Sequence, residues 1–279
     1  QGYITKFYCI SLCREQLELK KKLITEDDIN WKNNTDFGGL RLVGGLDISF
    51  PKGDLSHACP CFVVLSYPEQ EIIYQDIEFV HLTAPFVTEY LAFREVKFFV
   101  ACIEKLKMKS PELLPQVIMV DGNGMLHSRG FGIACHLGVL TNIPTIGVAK
   151  NLFHHDGIEK GELHSQQVKT IRNLKNKGDR FPLIGNSGIT WGMALRSSKP
   201  TFASQDCKPI YVSVGHRVGL ETAVNLVDSC CTNRIPEPTR QADILSREYL
   251  RNYYEKELVK CPCNEEGSVP SCPAPPSSS

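Results

Sequence analysis

From Leu40 onward, short apolar blocks alternate with turn residues. "LRLVGGLDISF", "CFVVLSYP" and "EIIYQDIEFV" have the look of strands, and Ser66 to Gln70 form a turn between the second and third, so three consecutive antiparallel strands are predicted. In "YLAFREVKFFVACIEKLK" the period changes: Ala92, Val96, Phe99, Val100, Ile103 and Leu106 recur at helical spacing, and Lys105, Lys107 and Lys109 gather towards the end. Val117, Ile118, Met119 and Val120 then form the unbroken apolar run of a strand covered on both faces. That run stops at Asp121, where strands of open α/β sheets meet their ligands, and gives way to the glycine-rich "GNGMLHSRGFG". A helix in "GFGIACHLGVLTN" and a strand in "PTIGVAK" follow, then strand-like "GITWGMALRS" and "KPIYVSVGHR" and the helices "LETAVNLVDSCC" and "RQADILSREYLRNYYEKE". Three antiparallel strands followed by alternating helices and strands give an α/β mixed sheet flanked by helices.

Three regions are expected: a helical extension over 1–36, one domain over 37–258, and a disordered Pro- and Ser-rich tail over 259–279. In the extension, "CREQLELKKKLITEDDI" predicts a mixed-sign surface helix or a poorly packed arm without chemistry of its own. Residues 151–185 are irregular and slightly basic.

Composition narrows the function classes. The 279 residues are 42% hydrophobic, enough for a substantial core, and 31 basic residues balance 31 acidic ones. No global field attracts nucleic acid, so any such site depends on local clustering. No run approaches the roughly 20 apolar residues of a membrane helix, and "QGYITKFYCISLC" lacks a sustained apolar stretch with a cleavage site. The expectation is an intracellular protein, with a start missing or processed before Gln1. The 12 cysteines are scattered through strand-like and helix-like segments, which favours reduced, mostly buried thiols over a disulfide framework. Cys261, Cys263 and Cys272 have no spaced second pair or histidine, so a flexible tail is a better account of them than zinc.

Four carboxylates carry the candidate chemistry. Asp47 lies within the first apolar strand, where the plainest reading is a solvent-facing alternate position. Glu95 sits beside the apolar stripe of the first helix, with an ion pair to Arg94 in solvent as its structural reading. Asp121 ends the fourth strand, and Asp243 shares a side of the last helix with Leu250. Each alone is more simply structural. Together they can converge at one sheet edge, where four repelling acids need a cation, and hard oxygen donors without His or Cys pairs favour Mg2+ or Mn2+. Such ions activate water and stabilise the leaving oxygen in phosphodiester hydrolysis. Competing motifs are weak: "GNGMLH" has His127 where a dinucleotide fingerprint needs glycine, and Ser187 in "GNSGI" lacks a nucleophile elbow.

The order of these residues resembles the ribonuclease H-like nuclease fold. "GGLDISF", "LTAPFVTEYLAFRE", "VDGNGMLHSRGFGIACHLGVLTNIPTIGVAK", "IYVSVGHR" and "RIPEPTRQADILSRE" resemble the endonuclease V family, in its vertebrate form, from about Gly39 to Arg251. The resemblance implies a metal-dependent endonuclease that cuts the second phosphodiester 3′ to inosine, chiefly in single-stranded RNA and also in deaminated DNA. The alternative is a binding protein of the same fold that recognises inosine-containing RNA with little or no cleavage. By the same resemblance Asp47, Glu95, Asp121 and Asp243 are the catalytic and metal-binding acids. Lys150 lies near the scissile phosphate, and an ammonium at a strand end also suits developing phosphate charge. Phe86 and Val87 belong to the wedge, Leu91, Gly122 and Ile133 to the inosine pocket, and His127 supports the strand or base site. Glycines at 122 and 124 would give an extruded base close access to backbone. The family wedge usually has tyrosine where Phe86 stands and glycine where Glu89 stands. The implied partners are inosine-containing single-stranded RNA and DNA, without a membrane, for a monomer in the cytoplasm and also the nucleus or nucleolus.

Overall fold

The computed structural model describes residues 2–32, 37–84, 90–158, 176–198 and 208–260. Its centre is a nine-stranded mixed sheet, built of β1 (Leu42–Ser49), β2 (His57–Ser66), β3 (Ile72–Ile77), β4 (Val80–His81), β5 (Val117–Asp121), β6 (Thr145–Ala149), β7 (Arg180–Ile184), β8 (Thr190–Leu195) and β9 (Ile210–His216). The path across it is β3-β2-β1-β5-β6-β9-β8-β7, with β4 pairing β2. The three antiparallel strands expected at the start are β1 to β3, while β1, β5 and β6 run parallel at the centre.

Strand alternation divides the core into two layers. Leu46, Phe62, Val64, Ile118 and Val120 face α2 (Leu91–Lys109) and α3 (Ile133–Thr141) through Val96, Phe99, Ile103, Ala134 and Leu137. On the opposite face Val43, Val117, Met119, Ile146 and Val148 pack against α4 (Leu220–Ser229) through Ala223, Val224 and Val227. The last helix, α5 (Glu237–Lys260), crosses β1 and β2 on that same face, with Ala242 and Leu245 against Cys61, Val63 and Leu65. The eight described cysteines are free thiols, six of them buried. Among the described residues no helix is long and apolar enough to cross a membrane.

Two segments differ from their sequence reading. The stretch up to 185 expected to be irregular contains β7, an edge strand paired with β8, and its Arg180 is tied to α4 through Asn225 and Glu221. An alternation of only five residues, interrupted by Pro182, carries too little period to reveal it. The first helix, α1, spans Gly2–Lys20 rather than the charged stretch reaching Asp28. The acidic end of that stretch serves α4 instead: Asp27 accepts from the Gly219 N–H at 2.7 Å and the Thr222 hydroxyl at 2.6 Å, and it pairs with Lys32. Glycine at that helix start has no side chain to cap with, so a carboxylate from a distant segment takes the role. The tail is outside the described residues from 261 on.

Candidate active site

β1 and β5 are parallel neighbours whose last paired residues are Leu46 and Val120. One step further, Asp47 and Asp121 emerge side by side, both on the α5 face. The alternation that carries Asp47 also places Gly45 and Ser49 towards α5. A Cβ on Gly45 would lie 2.0 Å from the Pro238 carbonyl oxygen, so the missing side chain is what lets the start of α5 rest on β1. Further along, the Ser49 and Ser246 hydroxyls hydrogen-bond at 2.7 Å in the core. Asp243, one turn before Ser246, is thereby held over Asp47. Lys150 follows β6, and Glu95 reaches the same opening from α2 on the other layer.

These five side chains line one open cleft of about 1460 Å³. Asp47 is only 7% exposed, not the solvent-facing residue that alternation alone suggested. Its burial, together with the Asp121 charge and a hydrogen bond to Asp243, pushes its carboxyl up to about 8 against the pull of Lys150. Burial likewise lifts Glu95 to about 7, with Arg94 opposing, so it is no solvent ion pair. Arg94 instead turns inward to donate to the Leu55 carbonyl. Asp121 is raised by burial and by Asp243, while Lys150 pulls it down. Burial would depress the Lys150 ammonium, but the surrounding acids outweigh that and raise it. Its Nζ lies 2.5 Å from Asp121 Oδ2 and 3.6 Å from Asp243 Oδ1, and Arg247 Nε donates to Asp243 Oδ1 at 2.9 Å.

Among the described residues no three His, Cys, Asp or Glu side chains are gathered into a ready-made metal shell. The Lys150 ammonium holds Asp121 and spans towards Asp243 instead. The donor set still fits a hard divalent cation: one lysine and one arginine face four acids, and burial lifts two of those acids far above the carboxylate range, Asp47 with help from the Asp121 charge.

The residues assigned to base recognition fall into three groups. Gly122 and Ile133 are neighbours: Gly122 has φ +146°, and a Cβ there would lie 2.7 Å from Ile133 Cγ2. His127 lies outside the carboxylate cleft, stacked on Phe153 at 5.1 Å, with Nδ1 accepting from the Arg129 N–H. Phe86, Val87 and Glu89 are outside the described residues, and Leu91 is described only as the first backbone residue of α2. Gly124 does not offer room for a base. A Cβ there would lie 2.0 Å from the Val214 carbonyl oxygen, so β9 already occupies that space.

Three contributors were not singled out from sequence: Gly45, Ser49 and Arg247. The period-two series Gly45, Asp47, Ser49 and the i, i+4 pair Asp243, Arg247 were the signals that could have found them.

The family model described as Endonuclease V matches residues 17–244. Mouse Endonuclease V is 54% identical over 237 residues, spanning 85% of this chain and 68% of the mouse protein. The crystal structure of the catalytic domain of human Endonuclease V aligns with TM-score 0.84 at 48% identity, over 89% of this chain and 98% of that one. Endonuclease V of Ciona intestinalis was solved in complex with a 24-mer DNA containing an inosine followed by a ribo-adenosine. It aligns with TM-score 0.78 at 37% identity, over 89% of this chain and 99% of that one. The architecture shared with these structures is the ribonuclease H-like mixed sheet.

Proposed function

The chain belongs to the endonuclease V family, and from that premise we propose that it is a divalent-metal-dependent endonuclease cutting the second phosphodiester 3′ to inosine. Its main substrate in this reading is single-stranded RNA, with deaminated DNA as a second. The observation that supports it most is the convergence of Asp47, Glu95, Asp121, Asp243 and Lys150 on one cleft. Buried acids held well above the ordinary carboxylate range favour a catalytic site over a binding surface.

Asp47, Asp121, Asp243 and Glu95 would hold the cation, and their oxygen-only chemistry suits magnesium or manganese. When bound, it supplies Lewis acidity towards a phosphate and an activated water. The protein contributes the rest. Lys150 Nζ, already aimed at the acids, is placed to stabilise charge that grows on the phosphate oxygens. Glu95, reaching the cleft from the opposite layer, adds a carboxylate oxygen to the set that would hold the cation. Gly122 and Ile133 form an apolar wall beside Asp121 where an extruded base can lie against backbone.

The test is incubation with single-stranded RNA carrying one inosine, with magnesium or with chelator, beside an adenosine control and a matched DNA. Cleavage that needs metal and inosine and disappears in Asp121→Asn supports the reading. Tight inosine-dependent binding with no product under any metal refutes it.

A further inference from the structure

The cleft extends well past its acids. Phe50, three residues beyond Asp47, is 38% exposed, and Tyr254 is 40% exposed; both line the cleft. Tyr254 follows Asp243 by eleven residues, three helical turns, so it lies on the same side of α5 about 16 Å away. That distance is too great for the nucleotide at the acids and suits a neighbour in the strand.

The ring of Tyr254 is held in place by its surroundings. Phe79 is sandwiched between His57 at 5.2 Å and Tyr253 at 4.3 Å, both nearly parallel, which fastens this part of α5 to the β2–β4 end of the sheet. Tyr254 meets Phe79 and Tyr253 at near-right angles and is stacked on neither, and it stays substantially exposed to the cleft. Fastening is therefore the task of Tyr253, and Tyr254 is not needed for it. An exposed aromatic whose backbone is already fixed loses little entropy when a ring stacks on it.

Charge favours the same occupant. Lys52 and Arg251 line this stretch, are exposed, and make no ion pair with another described residue. Two acids lie nearby: Glu255, which lines the cleft, and Asp54, whose charge is felt by Tyr254 and which is paired with His57. Aromatic faces interleaved with unpaired cations are what a single strand requires: stacking for bases, ammonium or guanidinium for phosphates.

We propose that Phe50 and Tyr254, flanked by Lys52 and Arg251, form a stacking platform for an unpaired nucleotide of the flanking strand, beyond the inosine and its two 3′ nucleotides. The proposal rests on the nuclease reading above and adds a flanking-strand subsite to it. Single-stranded substrate is favoured because a paired base offers no free face.

The test uses Asp121→Asn protein with magnesium and strands carrying 2-aminopurine at successive positions on either side of inosine. Fluorescence at one flanking position is expected to be quenched, to stay quenched in Tyr254→Phe, and to recover in Tyr254→Leu or Phe50→Leu. On the full strand Tyr254→Leu should bind about tenfold more weakly, and on a strand truncated to inosine and its two 3′ nucleotides it should match the parent. Thermal melting of each variant guards against misfolding. Equal weakening on both strands, or no change on either, overturns the platform. Length dependence and quenching that are the same for inosine and adenosine strands support the platform while refuting the inosine reading; binding to neither strand refutes both.

Discussion

Gly45 and Pro238 are in backbone contact, with no room between them for a single carbon. This approach sets the height of α5 over β1 and so the distance from Asp243 to Asp47. Gly45→Ala must push α5 outward. A loss of about 2–4 kcal/mol in stability is expected from overpacking, with a larger fall in activity than Tm alone accounts for. Denaturant unfolding and cleavage rate check this together; a variant that unfolds at the wild-type midpoint would show that α5 yields freely.

Lys150 balances acids from two elements. Lys150→Met should lower kcat by roughly 10²- to 10³-fold, the scale of losing one preorganised charge at a phosphate, while KM changes little. The variant should also need less metal, since no ammonium then competes for the acids that would hold it. A kcat within threefold of wild type would remove Lys150 from the site.

The raised carboxyls of Asp47 and Glu95 make stability depend on pH in a definite direction. A carboxyl whose folded pKa is raised binds its proton more tightly when folded, so its contribution is complete in acid and lost as pH climbs from about 4 through the folded values. Without metal, Tm should therefore fall between pH 6 and about 8.5, and Asp47→Asn should flatten the fall. Because metal binding displaces those protons, apparent metal affinity should rise over the same window. Melting scans with chelator and with magnesium at four pH values decide it.

Asp27 behaves in the opposite sense. Burial alone would raise it, but hydrogen bonds from Lys32, Thr222 and Gly219 hold it below the usual carboxylate range. Its contribution is present above about pH 4 and disappears as pH falls through the lowered value. Asp27→Ala should cost about 1–2 kcal/mol at pH 7 and progressively less as pH falls below about 4. A cost that is independent of pH would mean that the side chain matters only for packing.

The outline of the fold could be read from the chain because hydrophobic period reports burial directly. The unbroken run Val117–Val120 has the look of a covered strand and the stripe from Val96 to Leu106 that of a half-buried helix, and the structure has both. Asp121 at the end of such a run was legible as an acid at the sheet edge for the same reason, and it lines the cleft. Asp47 was ambiguous, because alternation says that it opposes Leu46 and not whether a helix covers that face. Gly124 was misread because glycine signals only that something comes close, and here it is Val214 rather than a ligand.

What the sequence determined alone is therefore local: which segments are strands or helices, which faces are apolar, and which acids end strands. Only the tertiary structure decided which faces met. The parallel pairing of β1 with β5 set Asp47 beside Asp121, the glycine at 45 admitted α5 and brought Asp243 over them, and Lys150 settled between the acids. The physical reason is that period and composition record whether a residue is buried, whereas charge balance depends on distances between elements far apart in the chain, and those distances exist only once the layers have packed.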